Sequence, residues 1–88
     1  MAWRVEFSRA ARADLASLDT VAQRRILKYL RERVAGDDNP RRLGKALRGE
    51  QAGFWRYRVG DYRLLCRIED QASAILVLAA GHRREIYR

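Results

Sequence analysis

The feature that most constrains the fold is a run of alternating side chains on both sides of the pair Gly60-Asp61. A Gly-Asp pair between two alternating segments is typical of a β-hairpin with a two-residue loop. The pattern therefore predicts two antiparallel strands, at residues 54–59 and 62–68. The side chains expected to face the core are those of Trp55, Tyr57, Val59, Tyr62, Leu64, Cys66 and Ile68.

The rest of the chain predicts a strand at 3–7, a helix at 9–18 and an almost wholly apolar strand at 74–80. A second helix follows Asp19 and stops at Gly36, with Pro40 beyond it. Its apolar stripe is expected to comprise Val21, Ile26, Leu27, Leu30 and Val34. Residues 41–53 are predicted to be one long irregular stretch.

These elements come in the order β-α-α-β-β-β and form one domain, residues 1–88. The predicted fold class is α+β, with two N-terminal helices packed on one face of a small, mainly antiparallel sheet. Part of the other face is left open.

The composition excludes several classes of protein. The longest apolar run, at 72–80, is far shorter than the about 20 residues of a membrane-spanning helix, and charge comes too early for a signal peptide. A single cysteine, Cys66, fits a reducing cytoplasm. Neither a cluster of metal-ligand residues nor a nucleotide-binding glycine pattern is present, so no metal and no cofactor is expected.

The charge is strongly basic, with 19 Lys plus Arg against 11 Asp plus Glu and a net charge of +8. Seventeen of the basic residues are arginines, the side chain best suited to bidentate phosphate contacts. A two-residue loop at 60–61 places Arg58 directly opposite Arg63, with Arg56 and Arg67 on the same face. Such a face is either simply solvated or a binding surface for phosphate.

The C-terminal tail adds three further candidates, His82, Arg83 and Tyr87. Gly81 is expected to free the backbone, so that these three side chains swing back toward the hairpin arginines. Phe54 lies on the same open face, and basic groups interleaved with aromatic rings are typical of single-stranded RNA binding.

The hairpin stretch 53–68 resembles the RelE branch of the RelE/ParE toxins, the toxin halves of bacterial type II toxin–antitoxin pairs. Residues 3–15 look like the N-terminal segment of that family, and 45–49 look like the segment before its hairpin. Residues 81–87 look like its C-terminal signature. The resemblance covers essentially the whole chain, in order.

The resemblance implies a metal-independent endoribonuclease that enters the ribosomal A site and cuts the mRNA exposed there. In such toxins the ribose 2′-hydroxyl attacks the adjacent phosphate, which inhibits translation. The implied partners are mRNA, the ribosome with its 16S rRNA, and a cognate RelB-like antitoxin in a toxin–antitoxin hetero-oligomer.

Roles for individual residues follow from the same resemblance. Arg63 matches the arginine that holds the scissile phosphate, and Arg83 matches the one credited with charge stabilisation or acid work. Tyr87 matches the tyrosine that orients the target nucleotide, and Arg56 matches a basic strand position. Apart from the resemblance, the positions expected to bind RNA are Arg58, Arg48, Arg67 and Phe54.

The residue that moves the proton stays open at this point. Phe54 stands where some members have a second lysine, and arginine is a poor base because its pKa exceeds about 12. Lys45 aligns near a position that supplies a carboxylate base in some branches, and His82 lies near a position that supplies a catalytic histidine in others. Slow cleavage, driven by positioning and charge, is one expected outcome.

Two other functions compete with mRNA cleavage. The first is a ParE-like toxin that inhibits DNA gyrase by binding, on the same fold. The second is an RNA-binding module without chemistry.

Overall fold

The structure, a computed structural model, describes residues 3–86, and within this range the chain forms five strands and three α-helices. A π-helical turn, Leu30–Val34, extends the second helix, and 3-10 turns lie at Pro40–Leu43 and Gly49–Gln51. The helices and strands are β1 Arg4–Phe7, α1 Arg9–Ala16, α2 Thr20–Tyr29, β2 Lys45–Ala46, β3 Trp55–Val59, β4 Tyr62–Glu69, β5 Ala74–His82 and α3 Arg83–Ile86. Over this range no helix combines the length and the apolar character needed to cross a membrane.

The sheet has the strand order β1-β5-β4-β3-β2. β1 runs parallel to β5, and the other neighbours are antiparallel, which confirms the predicted fold class. The predicted hairpin register is also confirmed, because Arg58 pairs with Arg63 and Val59 with Tyr62. Gly60 has a φ of 60°, which suits the first loop position of a two-residue hairpin turn.

The core lies between the sheet and α1 and α2. The residues buried there include Ala11, Ile26, Leu30, Val34, Tyr57, Val59, Leu64, Cys66, Ile75 and Val77. Seven of these were predicted core positions, four on the hairpin and three on α2 and its π-helical turn. The hairpin therefore presents to the helices the face that its alternation predicts.

The predicted stripe of α2 is wrong at two positions, because Val21 is 75% and Leu27 is 40% exposed. The buried stripe instead repeats every four residues, at Ala22, Ile26 and Leu30. Residues four apart lie above one another on a helix, whereas Val21 and Leu27 each lie about 100° to one side of this line.

The predicted irregular stretch 41–53 is not irregular throughout. Lys45–Ala46 forms strand β2, which lies at the edge of the sheet next to β3. Lys45 pairs with Arg56 and Ala46 with Trp55. Gly44 makes the approach possible, since a Cβ atom there would come within 2.5 Å of the Trp55 ring. A two-residue strand next to a 3-10 turn has too little periodicity to be predicted from alternation.

β5 is longer than predicted and continues through Gly81 to His82, so Gly81 does not release the chain. β1 covers only its first half, Ala74–Val77. Between that half and the second, the register with β4 shifts by one residue, since Cys66 pairs with Val77 but Leu65 with Ala79. The extra residue is a β-bulge in β5.

Two side chains, one from the N-cap of α1 and one from α1 itself, bind the backbone of β5 beyond the end of β1. The Ser8 hydroxyl donates to the Leu78 carbonyl at 3.1 Å, and the Asp14 carboxylate accepts from the Ala80 amide at 3.0 Å. Backbone groups that would otherwise lack a strand partner are thus satisfied by residues far away in sequence.

Candidate nucleic-acid interface

Four basic side chains share the sheet face opposite the helices, and we call this set the arginine face: Lys45, Arg56, Arg58 and Arg63. Their strands place them together, because Lys45 pairs with Arg56 on β2 and β3, and Arg58 pairs with Arg63 on β3 and β4. Like charges directly opposite each other destabilise a sheet unless solvent or an anion offsets them. The face therefore suits a polyanionic ligand.

Arg63 is the most buried member of the arginine face, with 7% of its surface exposed. Its Nη1 atom donates to the carbonyl oxygens of Gly60 and Tyr62, both at 3.0 Å. No carboxylate pairs with it among residues 3–84, whose side chains the structure describes. A buried cation held only by carbonyls lacks a counter-charge, and its remaining N–H groups match the bidentate geometry of a phosphate.

The other end of the same sheet face is balanced in charge. Arg67 Nε lies 2.8 Å from a Glu69 carboxylate oxygen, and Arg4 Nε lies 3.2 Å from Glu6. Arg67, predicted to bind RNA, is therefore already paired. Phe54, half-buried, precedes β3 beside this end.

The tail begins against the hairpin loop. The backbone N–H of Arg83 donates to the carbonyl oxygen of Asp61 at 2.8 Å, and the Arg83 side chain is exposed. The structure thus brings the start of the tail to the end of the hairpin that carries Arg58 and Arg63. Tyr87, the predicted orienting residue, lies outside the described residues.

His82 does not swing back toward the arginines, and that expectation is corrected here. It pairs with Tyr62, a residue of the helix-facing side of β4, and the two rings meet edge to face with centroids 6.0 Å apart. Gly81, not His82, lies opposite Arg63. The bulge in β5 shifts the alternation by one residue and so turns His82 to the helix side.

The other predicted basic positions lie at the edge of this region. Lys45 is exposed on β2, in the same row as Arg56. Arg48 is exposed just before the 3-10 turn that starts at Gly49. Of the two candidates for proton transfer, only Lys45 lies on the arginine face.

The described residues contain neither a group of metal ligands nor a reactive thiol. In the part of the chain that the structure describes, no group of three or more His, Cys, Asp or Glu residues could hold a metal ion. Cys66 is fully buried, and burial raises the pKa of its thiol to about 12. At neutral pH Cys66 is therefore protonated and inert.

Sequence reasoning missed the part that α2 plays beside the hairpin. Arg25 and Lys28 lie on α2 outside its predicted apolar stripe, and both line a cavity next to Gly60. No pattern within α2 could reveal this, because the opposite wall of the cavity comes from β3.

Comparison with known proteins identifies the family. A family model described as the ParE toxin of the type II toxin–antitoxin system parDE matches residues 5–87. The chain belongs to the RelE/ParE family of type II toxins. Toxin RelG of Mycobacterium tuberculosis is 42% identical to this toxin over 90 residues, covering 100% of the chain and 99% of the relative.

Solved structures agree with this assignment and place the toxin in the RelE-like branch. In the RelBE2 toxin–antitoxin complex of M. tuberculosis, a chain 33% identical superposes with a TM-score of 0.87, covering 97% of the toxin and 95% of that chain. The isolated Escherichia coli RelE toxin, at 21% identity, has a TM-score of 0.71 and covers 98% and 92%, a likeness of fold alone.

Proposed function

We propose that this toxin is a ribosome-dependent mRNA endonuclease, which cuts mRNA in the ribosomal A site and so inhibits translation in the cytoplasm. The observation that carries the proposal is the environment of Arg63. This cation is buried, is held by two carbonyl oxygens and has no carboxylate partner among the side chains of residues 3–84. Such a group is preorganised to receive a phosphate.

The chemistry needs a nucleotide held in line and a stabilised phosphorane-like charge. The 2′-hydroxyl gives its proton to a base while its oxygen attacks phosphorus. The bond from phosphorus to the 5′-oxygen breaks and that oxygen takes up a proton, which leaves a 2′,3′-cyclic phosphate and a 5′-hydroxyl. In this scheme Arg63 binds the scissile phosphate, while Arg56 and Arg58 offset its charge. Arg83, beside the hairpin loop, stabilises the leaving oxygen, and Tyr87 orients the nucleotide.

Proton transfer falls to Lys45 in this proposal. Lys45 shares the arginine face with Arg56, whereas His82 lies on the other side of the sheet. The guanidinium groups cannot act as the base, since arginine stays protonated at any physiological pH. A site with one exposed lysine as base works mainly by positioning and charge, so turnover is expected to be slow.

The arginine face also suggests which partners bind this toxin. The mRNA lies over the arginine face, and the ribosome with its 16S rRNA presents it there. Solved relatives are toxin–antitoxin complexes, including the intact RelBE complex of E. coli, which supports a cognate RelB-like antitoxin for this toxin. An acidic segment of such an antitoxin would inhibit by covering Arg63 and its neighbours.

The test is 5′-end mapping of an mRNA in a purified translation reaction, beside the same RNA without ribosomes. The wild-type toxin should produce new ends only with ribosomes, in step with the reading frame. Arg63→Met, which keeps the apolar stem and removes the charge, should lower cleavage by about 100-fold or more. Arg12→Met removes the same charge from an exposed position on α1 and should cleave like wild type.

Circular dichroism of both variants checks that the fold is kept. Full cleavage by a folded Arg63→Met variant would contradict the role of Arg63. New ends in the tube without ribosomes would contradict ribosome dependence.

Gyrase inhibition is the second candidate, and the description of the matching family model as a ParE toxin favours it. It predicts that no new mRNA ends appear in either tube, while the toxin blocks DNA supercoiling by purified gyrase. A supercoiling assay on the same preparation separates the two functions.

A further inference from the structure

A cleft of about 360 Å³ lies between α2 and the hairpin, and we call it the helix–hairpin cleft. One wall is the unpaired edge of β3, since β2 pairs only with Trp55 and Arg56 among the described residues. The other wall is one face of α2 and of the π-helical turn. The side chains that matter for its chemistry are Arg25, Lys28, Tyr29, Glu32, Arg33 and Arg58.

The cleft is strongly positive. Four of these six side chains are cations, and Glu32 is the single carboxylate among them. None of the four cations forms an ion pair with a side chain of residues 3–84. Cations gathered in a concave site without counter-charge raise the local potential and attract anions.

Two of its side chains are held in place before any ligand binds. The Arg25 guanidinium packs on the hairpin turn, because a Cβ atom at Gly60 would lie 2.8 Å from its Cζ and both Nη atoms. The Tyr29 ring meets Tyr57 edge to face at 6.4 Å. Burial raises the pKa of the Tyr29 hydroxyl, against a smaller opposite effect of Arg33, so the hydroxyl stays a hydrogen-bond donor.

We propose that the helix–hairpin cleft binds backbone phosphates of RNA outside the scissile nucleotide. RNA is then held on two surfaces of the same hairpin, the arginine face and this cleft. Three arginines suited to bidentate contacts, a lysine and a neutral O–H donor match phosphate oxygens better than they match a peptide. The inference deepens the proposed function and rests on it for the identity of the nucleic acid.

The test is binding of a short fluorescent RNA carrying 2′-O-methyl groups, which prevent cleavage, at several salt concentrations. The double variant Lys28→Gln, Arg33→Gln removes two cleft charges and leaves Arg25 on the turn. The slope of log K against log salt should fall in magnitude by about 0.7 per lost contact, hence by about 1.4. The control Arg12→Gln, Arg24→Gln removes two exposed charges outside the cleft and should keep the wild-type slope.

Equal slopes for the cleft variant and the control would overturn the inference. So would a cleft variant that binds RNA like wild type but loses affinity for the purified antitoxin, because the cleft would then be a protein site. Failure of the proposed function looks different, since wild-type toxin would bind the probe in the cleft yet leave mRNA uncut on ribosomes.

Discussion

Burial acts in opposite ways on two residues of β4, Arg63 and Cys66. Both are enclosed by the fold, at 7% and 0% exposure. Arg63 keeps its charge because a guanidinium group stays protonated at any physiological pH, so burial makes it a cation in need of an anion. Cys66 stays neutral, because desolvation disfavours the thiolate.

The Cys66 thiol predicts a loss of stability at alkaline pH. Its pKa is about 12 in the folded state against 9.0 when unfolded, so above pH 9 the unfolded state releases the proton first. The free energy of unfolding should therefore fall with rising pH, by up to about 1.4 kcal/mol per pH unit from this group. Burial also raises the pKa of the Tyr57 hydroxyl, so Tyr57 lowers the free energy of unfolding further from about pH 10 upward.

Urea unfolding at a series of pH values checks this. Cys66→Ala should be less stable at neutral pH, since it leaves a small cavity, but should show a shallower decline between pH values of about 9 and 10. Equal declines in the two proteins would contradict a buried, protonated thiol.

The connection between α1 and β5 stabilises the element that ends beside the hairpin. Ser8 accepts from the Ala11 amide as the N-cap of α1 and donates to the Leu78 carbonyl. Asp14 accepts from the Ala80 amide beyond the bulge. These two side chains thus bind the edge of β5 that β1 does not reach. They help to keep Gly81 opposite Arg63.

Ser8→Ala should lower the free energy of unfolding by about 1 to 2 kcal/mol, because it removes a helix cap and a bond to β5 together. Ser17→Ala is the matched control. Its hydroxyl donates only to the Asp14 carbonyl, and the residue is exposed, so a change within about 0.5 kcal/mol is expected. Chemical denaturation measures both, and equal losses would contradict the double role of Ser8.

Among the described residues, several cations without a carboxylate partner gather at the hairpin end. The arginine face, the helix–hairpin cleft and the start of the tail meet around Gly60-Asp61. Ion pairs lie elsewhere, between Arg4 and Glu6 on β1 and between Arg41 and Asp70 in turns outside the sheet. A field of this shape orients an approaching polyanion toward the hairpin.

Association with RNA should therefore depend on where a charge is removed. At low salt, Arg58→Gln should slow the association rate of a short RNA more than Arg4→Gln, although each removes one positive charge. The difference should disappear near 1 M salt, where the Debye length is about 3 Å. Stopped-flow anisotropy measures both rates, and identical slowing at low salt would contradict a polarised field.

The sequence predicted most of the hairpin end and less of what surrounds it. The Arg58–Arg63 pair follows from alternation and from Gly60 alone, since a two-residue turn leaves one register. Lys45 could not be placed on the arginine face in this way. Its strand is two residues long and exists because Gly44 lets the chain approach Trp55.

The sequence by itself determined the family, the fold class and which hairpin side chains share a face, because these depend on local periodicity and on matching motifs along the chain. Only the tertiary structure decided the side of the sheet on which His82 lies and the walls of the helix–hairpin cleft. The first depends on a one-residue bulge in β5, which Ser8 and Asp14 bind from more than 60 residues away. The second depends on packing α2 against an edge of β3. Both are long-range contacts, and no local pattern carries information about them.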